Sequence, residues 1–414
     1  MEFIIEGGKK LKGEVEIECA KNAYLPIMAA SLLCEGETII DKLDILDVES
    51  MSDILRLLGV KILEQNGKVV LNCSSVTNTL IPPKMSAKLR ASILCLGALL
   101  GRFKTARVTY PGGCDFCIRP IDLHLKAMKE LGVKIEENHG VISCDATFLH
   151  GGEVVFDYAS VGATENLILL TVLGTEKVKL INVAREPEVV DLCKFLNKCG
   201  AKIGGAGTSE IEITPVKKLV GQEFSVLRDR IVAGTFLLAA AITGGEVVVC
   251  GANSNFFSSL IKKLCQSGCF LDVKGDKIKL KSGGIKSVGF LETNVYPAFP
   301  TDLQPQFLAL QTIARGDCIV KENVFDSRFK FVPELIKMGA KITVCGNVAF
   351  VEGVPSLSGA EVQALDLRGG AALVLAGLSA KGYTKVGNAS IILRGYENFE
   401  KKLRSLGAEI KLVK

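Results

Sequence analysis

The chain has 414 residues, 48% of them hydrophobic, with 42 glycines, no tryptophan and a formal net charge of +5. That composition excludes disordered and fibrous classes, and the length predicts two domains of roughly 200 residues each. The 50 basic residues are scattered, only 13 of them arginine, with no arginine-rich block or aromatic-basic interleaving, which argues against a nucleic-acid partner.

The first residues, Met1 to Glu6, are acidic and strand-like where a signal peptide is basic and then apolar. No apolar run approaches the roughly 18 residues of a membrane span, so no membrane insertion is expected. Fourteen cysteines without a secretory signal point to a reducing, cytoplasmic location. Lys21-Asn22 then stands before an apolar helix from Ala23 to Ala30, with Asn22 read as the N-cap and Pro26 in the first turn. Open backbone N–H groups, the positive helix end and a lysine make an anion site there; a plain capped helix with a solvated lysine is the alternative.

The stretch Tyr110-Pro111-Gly112-Gly113-Cys114-Asp115-Phe116-Cys117-Ile118-Arg119-Pro120 cannot continue a helix or central strand and reads as a surface loop. Cys114 is its candidate reactive group, because Arg119 beside it lowers a thiol pKa or holds an anion. The other reading of Cys114 is a small buried hydrophobe. Cys114-x-x-Cys117 also has a redox or half-zinc spacing, but no second pair follows and His124, His139 and His150 are not at zinc-ligand spacing. No metal site is expected. Walker, Rossmann, Gly-x-Ser-x-Gly and His-Glu-x-x-His patterns do not occur, which removes the usual warrants for nucleotide hydrolysis, hydride transfer and zinc hydrolysis.

Organisation emerges from a repeat. Leu58-Gly59-Val60-Lys61-Ile62 returns around Gly132, Gly200, Gly268, Gly339 and Gly407, at spacings of 73, 68, 68, 71 and 68 residues. A second series, Gly36, Gly101, Gly174, Gly244, Gly316 and Gly382, closes apolar runs that read as buried helices stopped by glycine. Each unit of about 70 residues thus holds a buried helix, a strand, an amphipathic helix and a hairpin. Six units over two domains predict three per domain, a pseudo-threefold bundle of helices faced by sheets. Chain crossings are expected near Cys19–Asn22 and Val226–Arg230, with the first strands joining the C-terminal half and a hinged cleft between lobes.

Late in the chain, Asp302 lies in a proline-flanked turn before an apolar helix, as a general base or merely a cap. Arg90, Arg328, Arg368 and Arg394 each begin or border a helix.

Together, Ala20-Lys21-Asn22-Ala23, Leu89-Arg90-Ala91-Ser92, Pro111-Gly112-Gly113-Cys114, Arg119 to His124, Ser160 to Thr164, Ala184 to Glu188, Asp229-Arg230, Phe299 to Asp302, Asp366-Leu367-Arg368 and Arg394-Gly395-Tyr396 form a series. It closely resembles the UDP-N-acetylglucosamine 1-carboxyvinyltransferases, enolpyruvyl transferases that open bacterial peptidoglycan synthesis. The resemblance implies their inside-out α/β barrel in two lobes, residues 1–20 with 228–414, and residues 21–227. It implies phosphoenolpyruvate and UDP-N-acetylglucosamine as substrates, no cofactor and a monomer. Lys21, Asn22, Arg119 and Arg394 would hold phosphoenolpyruvate, with Arg328 and Arg368 as further substrate contacts. Cys114 would be the loop acid, open to the epoxide fosfomycin, and Asp302 would face the sugar hydroxyl. Arg90, Arg119, Pro120, Ile121, Asp122, Leu123, Ser160, Val161, Gly162 and Val324 would contact the UDP-sugar. Cys117, Ile118, Tyr158 and Gly369-Gly370 depart from the family pattern. The alternatives are the shikimate-pathway enolpyruvyl transferase and an inactive UDP-sugar-binding regulator.

Overall fold

The computed structural model describes residues 1–112 and 121–414. Each repeat supplies a buried helix followed by a more exposed one. In chain order these are α1 (Lys21–Ala30) and α2 (Leu46–Leu58), α3 (Leu94–Phe103) and α4 (Asp122–Glu130), and α5 (Val161–Thr171) and α6 (Pro187–Lys198). They continue as α7 (Arg230–Ile242) and α8 (Ser258–Gln266), α9 (Gln304–Gln311) and α10 (Val332–Lys337), and α11 (Leu367–Ser379) and α12 (Phe399–Ser405).

The second helix of every repeat stops in one way. Gly59, Gly132, Gly200, Gly268, Gly339 and Gly407 have φ between 87° and 109°, a left-handed region that a Cβ makes costly. The next N–H then returns to a carbonyl five residues back, from Val60 to Leu55 in the first repeat and from Ala408 to Leu403 in the last. This is a Schellman stop, and it launches the strand that follows.

The buried helices are enclosed on every side, as in α7 and α9, where every residue is buried, the three glutamines of α9 included. A helix of that kind must be covered on all sides. In the C-terminal half α7, α9 and α11 pack on one another, and sheets cover the outside. Each of these sheets joins the strand after a buried helix to an antiparallel pair of strands and to a parallel strand from another segment. Glu246–Cys250 pairs antiparallel with Lys277–Lys281 and parallel with Lys12–Glu16. Glu2–Glu6 lies between Tyr383–Gly387 and Glu409–Val413, antiparallel to both. Both N-terminal strands therefore complete sheets of the C-terminal repeats.

The described residues form two compact units, Met1–Glu18 with Arg228–Lys414, and residues 19–112 with 121–227. Each is an α/β body of three repeats with helices inside and sheets outside, the inside-out barrel that the repeat implied. No helix among the described residues is long and apolar enough to cross a membrane.

One member of the second glycine series needs correction. Gly101 does not stop α3, which runs on to Phe103 and ends with Lys104 at φ 65°. What Gly101 provides is proximity: a Cβ there would lie 2.6 Å from the Leu169 carbonyl oxygen of α5. Gly97, one turn earlier, is tighter still, with a Cβ 2.3 Å from the backbone oxygen of Asn166. Helix propensity alone predicts that Gly97→Ala stabilises by about 1 kcal/mol. Because the obstructing atom is backbone, we expect overpacking of about 1–3 kcal/mol to outweigh that gain, read as a lower urea midpoint at unchanged m-value. A midpoint equal to or above the parent's would show that α3 and α5 can separate without cost.

Candidate active site

In the C-terminal unit two buried arginines gather around Asp302, in the turn Thr301–Leu303 that precedes α9. The cap reading fails, since no side chain caps that turn. Asp302 Oδ1 accepts from Arg328 Nη2 at 3.0 Å, and Oδ2 accepts from Arg368 Nη2 at 2.9 Å and Nε at 3.2 Å. The carboxylate keeps 25% of its side-chain surface open, while Arg328 and Arg368 keep 1% and 4%. Guanidiniums this buried are expensive to desolvate and are stable only where anions share their donors. Burial opposes the Arg368 charge, but Asp302, Tyr396 and Asp229 together outweigh it and keep the group protonated.

Each partner is fixed by its own element. Asp366 caps α11, its Oδ1 accepting from the N–H groups of Arg368 and Gly369 at 2.9 Å each, which pins Arg368 to the helix start. The Gly369-Gly370 pair is a packing requirement: added Cβ atoms would lie 2.7 Å from Phe331 Cβ and 2.7 Å from Ile392 Cγ1. The Tyr396 ring lies 5.5 Å from the Arg368 guanidinium, and its buried hydroxyl bonds Thr235 Oγ1 at 3.0 Å and accepts from Gln306 Nε2 at 3.1 Å. Arg394 is half-buried in the turn after Ala389–Ile392, and the Gly395 behind it packs against Leu367. Val324 is half-buried, with its N–H committed to Glu322 Oε1 at 2.9 Å. The other Glu322 oxygen accepts from Thr301 Oγ1 at 3.1 Å, so one buried carboxylate ties the Val324 loop to the Asp302 turn.

In the N-terminal unit α1 begins two residues earlier than expected. Ala20 is the N-cap, placed by its own N–H donating to the Leu227 carbonyl at 2.8 Å. Asn22 is thus the second helical residue, not the cap, and it is exposed. Pro26 falls in the second turn, where it supplies no N–H to the Asn22 carbonyl. The N–H groups of Lys21 and Asn22 have no intrahelical acceptor and point out of the helix start. Lys21 is not simply solvated: its Nζ pairs with Asp47 Oδ2 at 3.0 Å, and Asp47, in the first turn of α2, is buried. Sequence reasoning missed Asp47, Glu322 and Tyr396 as supporting groups. Asp47 has no motif that signals it.

Among the expected UDP-sugar contacts, Arg90 opens the turn Arg90–Ile93 and is half-buried. Ile121 and Leu123 are buried, and Asp122 is exposed at the start of α4. Ser160 caps α5, its Oγ accepting from Ala163 N at 3.4 Å, and Val161 and Gly162 form the first turn. Tyr158 is exposed, and the charges of Asp122 and Arg90 both reach it. Cys114, Arg119 and Pro120, with Cys117 and Ile118, lie outside the described residues.

The model of the EPSP synthase family, described as 3-phosphoshikimate 1-carboxyvinyltransferase, matches residues 5–403. A UDP-N-acetylglucosamine 1-carboxyvinyltransferase 2 of Caldanaerobacter subterraneus subsp. tengcongensis is 48% identical over 410 residues, 99% of this chain and 98% of that one. A UDP-N-acetylglucosamine 1-carboxyvinyltransferase of Desulfosudis oleivorans is 45% identical over 413 residues, 99% of each chain. Among solved structures, the enolpyruvyl transferase NikO from Streptomyces tendae superposes with a TM-score of 0.88 at 23% identity, over 99% of this chain and 98% of that one. EPSP synthase from Acinetobacter baumannii does so at 0.75 and 19%, over 99% of each. At those identities the two structures speak for the fold alone, whereas the family match and the near-full-length relatives bear on descent. This chain belongs to the EPSP synthase family of enolpyruvyl transferases, on the branch of the UDP-N-acetylglucosamine 1-carboxyvinyltransferases.

Proposed function

We propose that the chain transfers the enolpyruvyl group of phosphoenolpyruvate to the 3-hydroxyl of UDP-N-acetylglucosamine and releases phosphate, the first committed step of peptidoglycan synthesis. The observation that carries this reading is 48% identity, over 99% of the chain, to a relative with that activity in its name. In this reading residues 1–20 with 228–414 and residues 21–227 are the two lobes, and both supply substrate contacts. The enzyme works in the cytoplasm as a monomer, on small molecules alone.

The chemistry adds the sugar hydroxyl oxygen to C2 of phosphoenolpyruvate while a proton reaches C3. The tetrahedral ketal then loses a proton from C3, now a methyl group, and its phosphate. One acid and one base are needed, here Cys114 and Asp302. Arg328 and Arg368, with Arg119 and Arg394, meet the carboxylate and phosphate of phosphoenolpyruvate. Arg90, the backbone from Arg119 to Leu123, Ser160 to Gly162, and Val324 receive the UDP-sugar. Phosphate release assayed with UDP-N-acetylglucosamine and, separately, with shikimate 3-phosphate tests the choice of acceptor. Turnover with the second alone would overturn it, and turnover with neither would favour an inactive binding protein.

Lys21 and Asn22 contribute the helix-start N–H groups and an ammonium to the phosphate of phosphoenolpyruvate. Lys21→Ala is expected to raise the KM for phosphoenolpyruvate by roughly 10- to 100-fold, the worth of a charge-assisted contact. Calorimetry should find the affinity for UDP-N-acetylglucosamine within about threefold of the parent. A large loss of nucleotide affinity would mean that Lys21 is wrongly assigned.

A further inference from the structure

Glu322 follows the strand Cys318–Lys321 and is 2% exposed. Its Oε1 accepts from the Val324 N–H at 2.9 Å and the Phe325 N–H at 3.1 Å, and its Oε2 accepts from Thr301 Oγ1 at 3.1 Å. None of these donors carries a charge. A carboxylate so deeply buried is stable only where its oxygens are hydrogen-bonded, and here the donors come from two separate segments of chain.

The backbone of Glu322 is not free to follow either segment. Its N–H donates to the Asn347 carbonyl at 2.8 Å and its carbonyl accepts from Asn347 Nδ2 at 2.9 Å, at the turn that joins Lys341–Cys345 to Val348–Glu352. On the other side the Asn323 N–H donates to Thr293 Oγ1, and Asn323 Nδ2 to the Thr293 carbonyl, at 3.1 Å each. Glu322 is a fixed post in the sheet, and what its carboxylate holds takes its position from that sheet.

Thr301 is held from two directions. Its hydroxyl donates to Glu322, while its carbonyl accepts from Arg328 Nη2 at 3.0 Å, the nitrogen that also bonds Asp302 Oδ1. The residue just before Asp302 is thus fixed at both side chain and backbone. Arg328 and Arg368 orient the Asp302 carboxylate, whereas the Thr301 hydroxyl sets where the turn that carries it stands relative to Val324.

We propose that Glu322 and Thr301 are positioning residues, and that the hydrogen bond between them keeps the base Asp302 in register with the loop that receives the nucleotide sugar. The inference rests on the roles given above to Asp302 and Val324. Val324 meets the acceptor and Asp302 takes the proton from its hydroxyl, so the distance between the two must suit the bound sugar. A misplacement of about 1 Å at such a contact costs on the order of 10²-fold in rate.

The test uses the full chain. Thr301→Val keeps the shape and the carbonyl that bonds Arg328 but removes the hydroxyl. It should lower kcat by roughly 10- to 100-fold. The KM for phosphoenolpyruvate and the calorimetric affinity for UDP-N-acetylglucosamine should each stay within about threefold of the parent. Thr301→Ser, which keeps the donor, should recover most of the loss. Glu322→Ala also releases the loop, so nucleotide-sugar affinity should fall roughly 10-fold and the Val324 and Phe325 amides should exchange faster with solvent. Adding Thr301→Val to Glu322→Ala should lower kcat no further, because both remove the same bond. A kcat within threefold of the parent in folded Thr301→Val, an equal loss in Thr301→Ser, or additive losses in the double variant would each overturn the proposal. A parent that turned over no UDP-N-acetylglucosamine would overturn the functional reading beneath it, while amide exchange would still report whether Glu322 holds the loop.

Discussion

Asp302→Asn is expected to lower kcat by about 10²- to 10⁴-fold, the range for removing a positioned general base. The substitution preserves shape but not hydrogen bonding. Both carboxylate oxygens accept from guanidiniums, Arg328 on one side and Arg368 on the other, so either orientation of the amide turns an NH₂ group against an N–H donor. Two buried arginines would then share a single accepting oxygen, and some stability should be lost as well. The catalytic and structural effects separate in measurement. Unfolding reports the repulsion, whereas single-turnover rates at saturating substrates report the missing base. A kcat within tenfold of the parent would remove Asp302 from the proton transfer and leave it an arginine-orienting role.

Cys114→Ser is expected to lose on the order of 10² to 10⁴ in rate, while Cys114→Asp keeps substantial turnover and escapes fosfomycin. The net reaction requires an acid at C3 and expels phosphate without needing an enzyme ester. A carboxylic acid whose pKa is raised in a closed site can supply that proton, and a serine hydroxyl is far too weak. The surroundings of the other thiols sharpen the experiment. Ten of the twelve described cysteines are buried, and burial pushes Cys95, Cys144, Cys193 and Cys269 up to about 12 and Cys318 to about 11. Thiols held that far from ionisation are poor nucleophiles. Peptide mapping after fosfomycin should therefore find the adduct on Cys114, with exposed Cys265 and Cys345 as the internal comparison. If Cys114→Asp were as inactive as Cys114→Ser while binding both substrates, a purely acid role would be untenable and a covalent one required.

The repeat was legible in the amino-acid sequence because its punctuation is a local backbone demand. Six glycines at left-handed φ, each followed by the same return hydrogen bond, record a requirement that one residue type meets by itself. Apolar runs such as Leu237 to Ile242 in α7 and Leu373 to Leu378 in α11 are similarly self-declaring, since a stretch apolar on every side has to be enclosed. Hairpins such as Lys61–Gln65 with Lys68–Asn72 follow from an Asn66-Gly67 turn whose two residues both accept positive φ.

Other features were settled only by tertiary structure. Asn22 has the better capping side chain, yet the helix starts from Ala20, because a bond to the Leu227 carbonyl places that residue outside the helix. Lys21 meets Asp47 across 26 residues, and Asp302 meets Arg368 across 66. Whether Asp302 was a general base or merely a cap was undecidable from its neighbours, because an aspartate before an apolar helix satisfies either pattern. The same holds for His124, whose Nδ1 meets the amide of Asn166 on another helix, itself bonded to the Gly97 N–H on a third. Local conformation is written in the residue that adopts it, whereas the state of a polar side chain depends on which donors and acceptors the closed fold carries to it from distant parts of the chain.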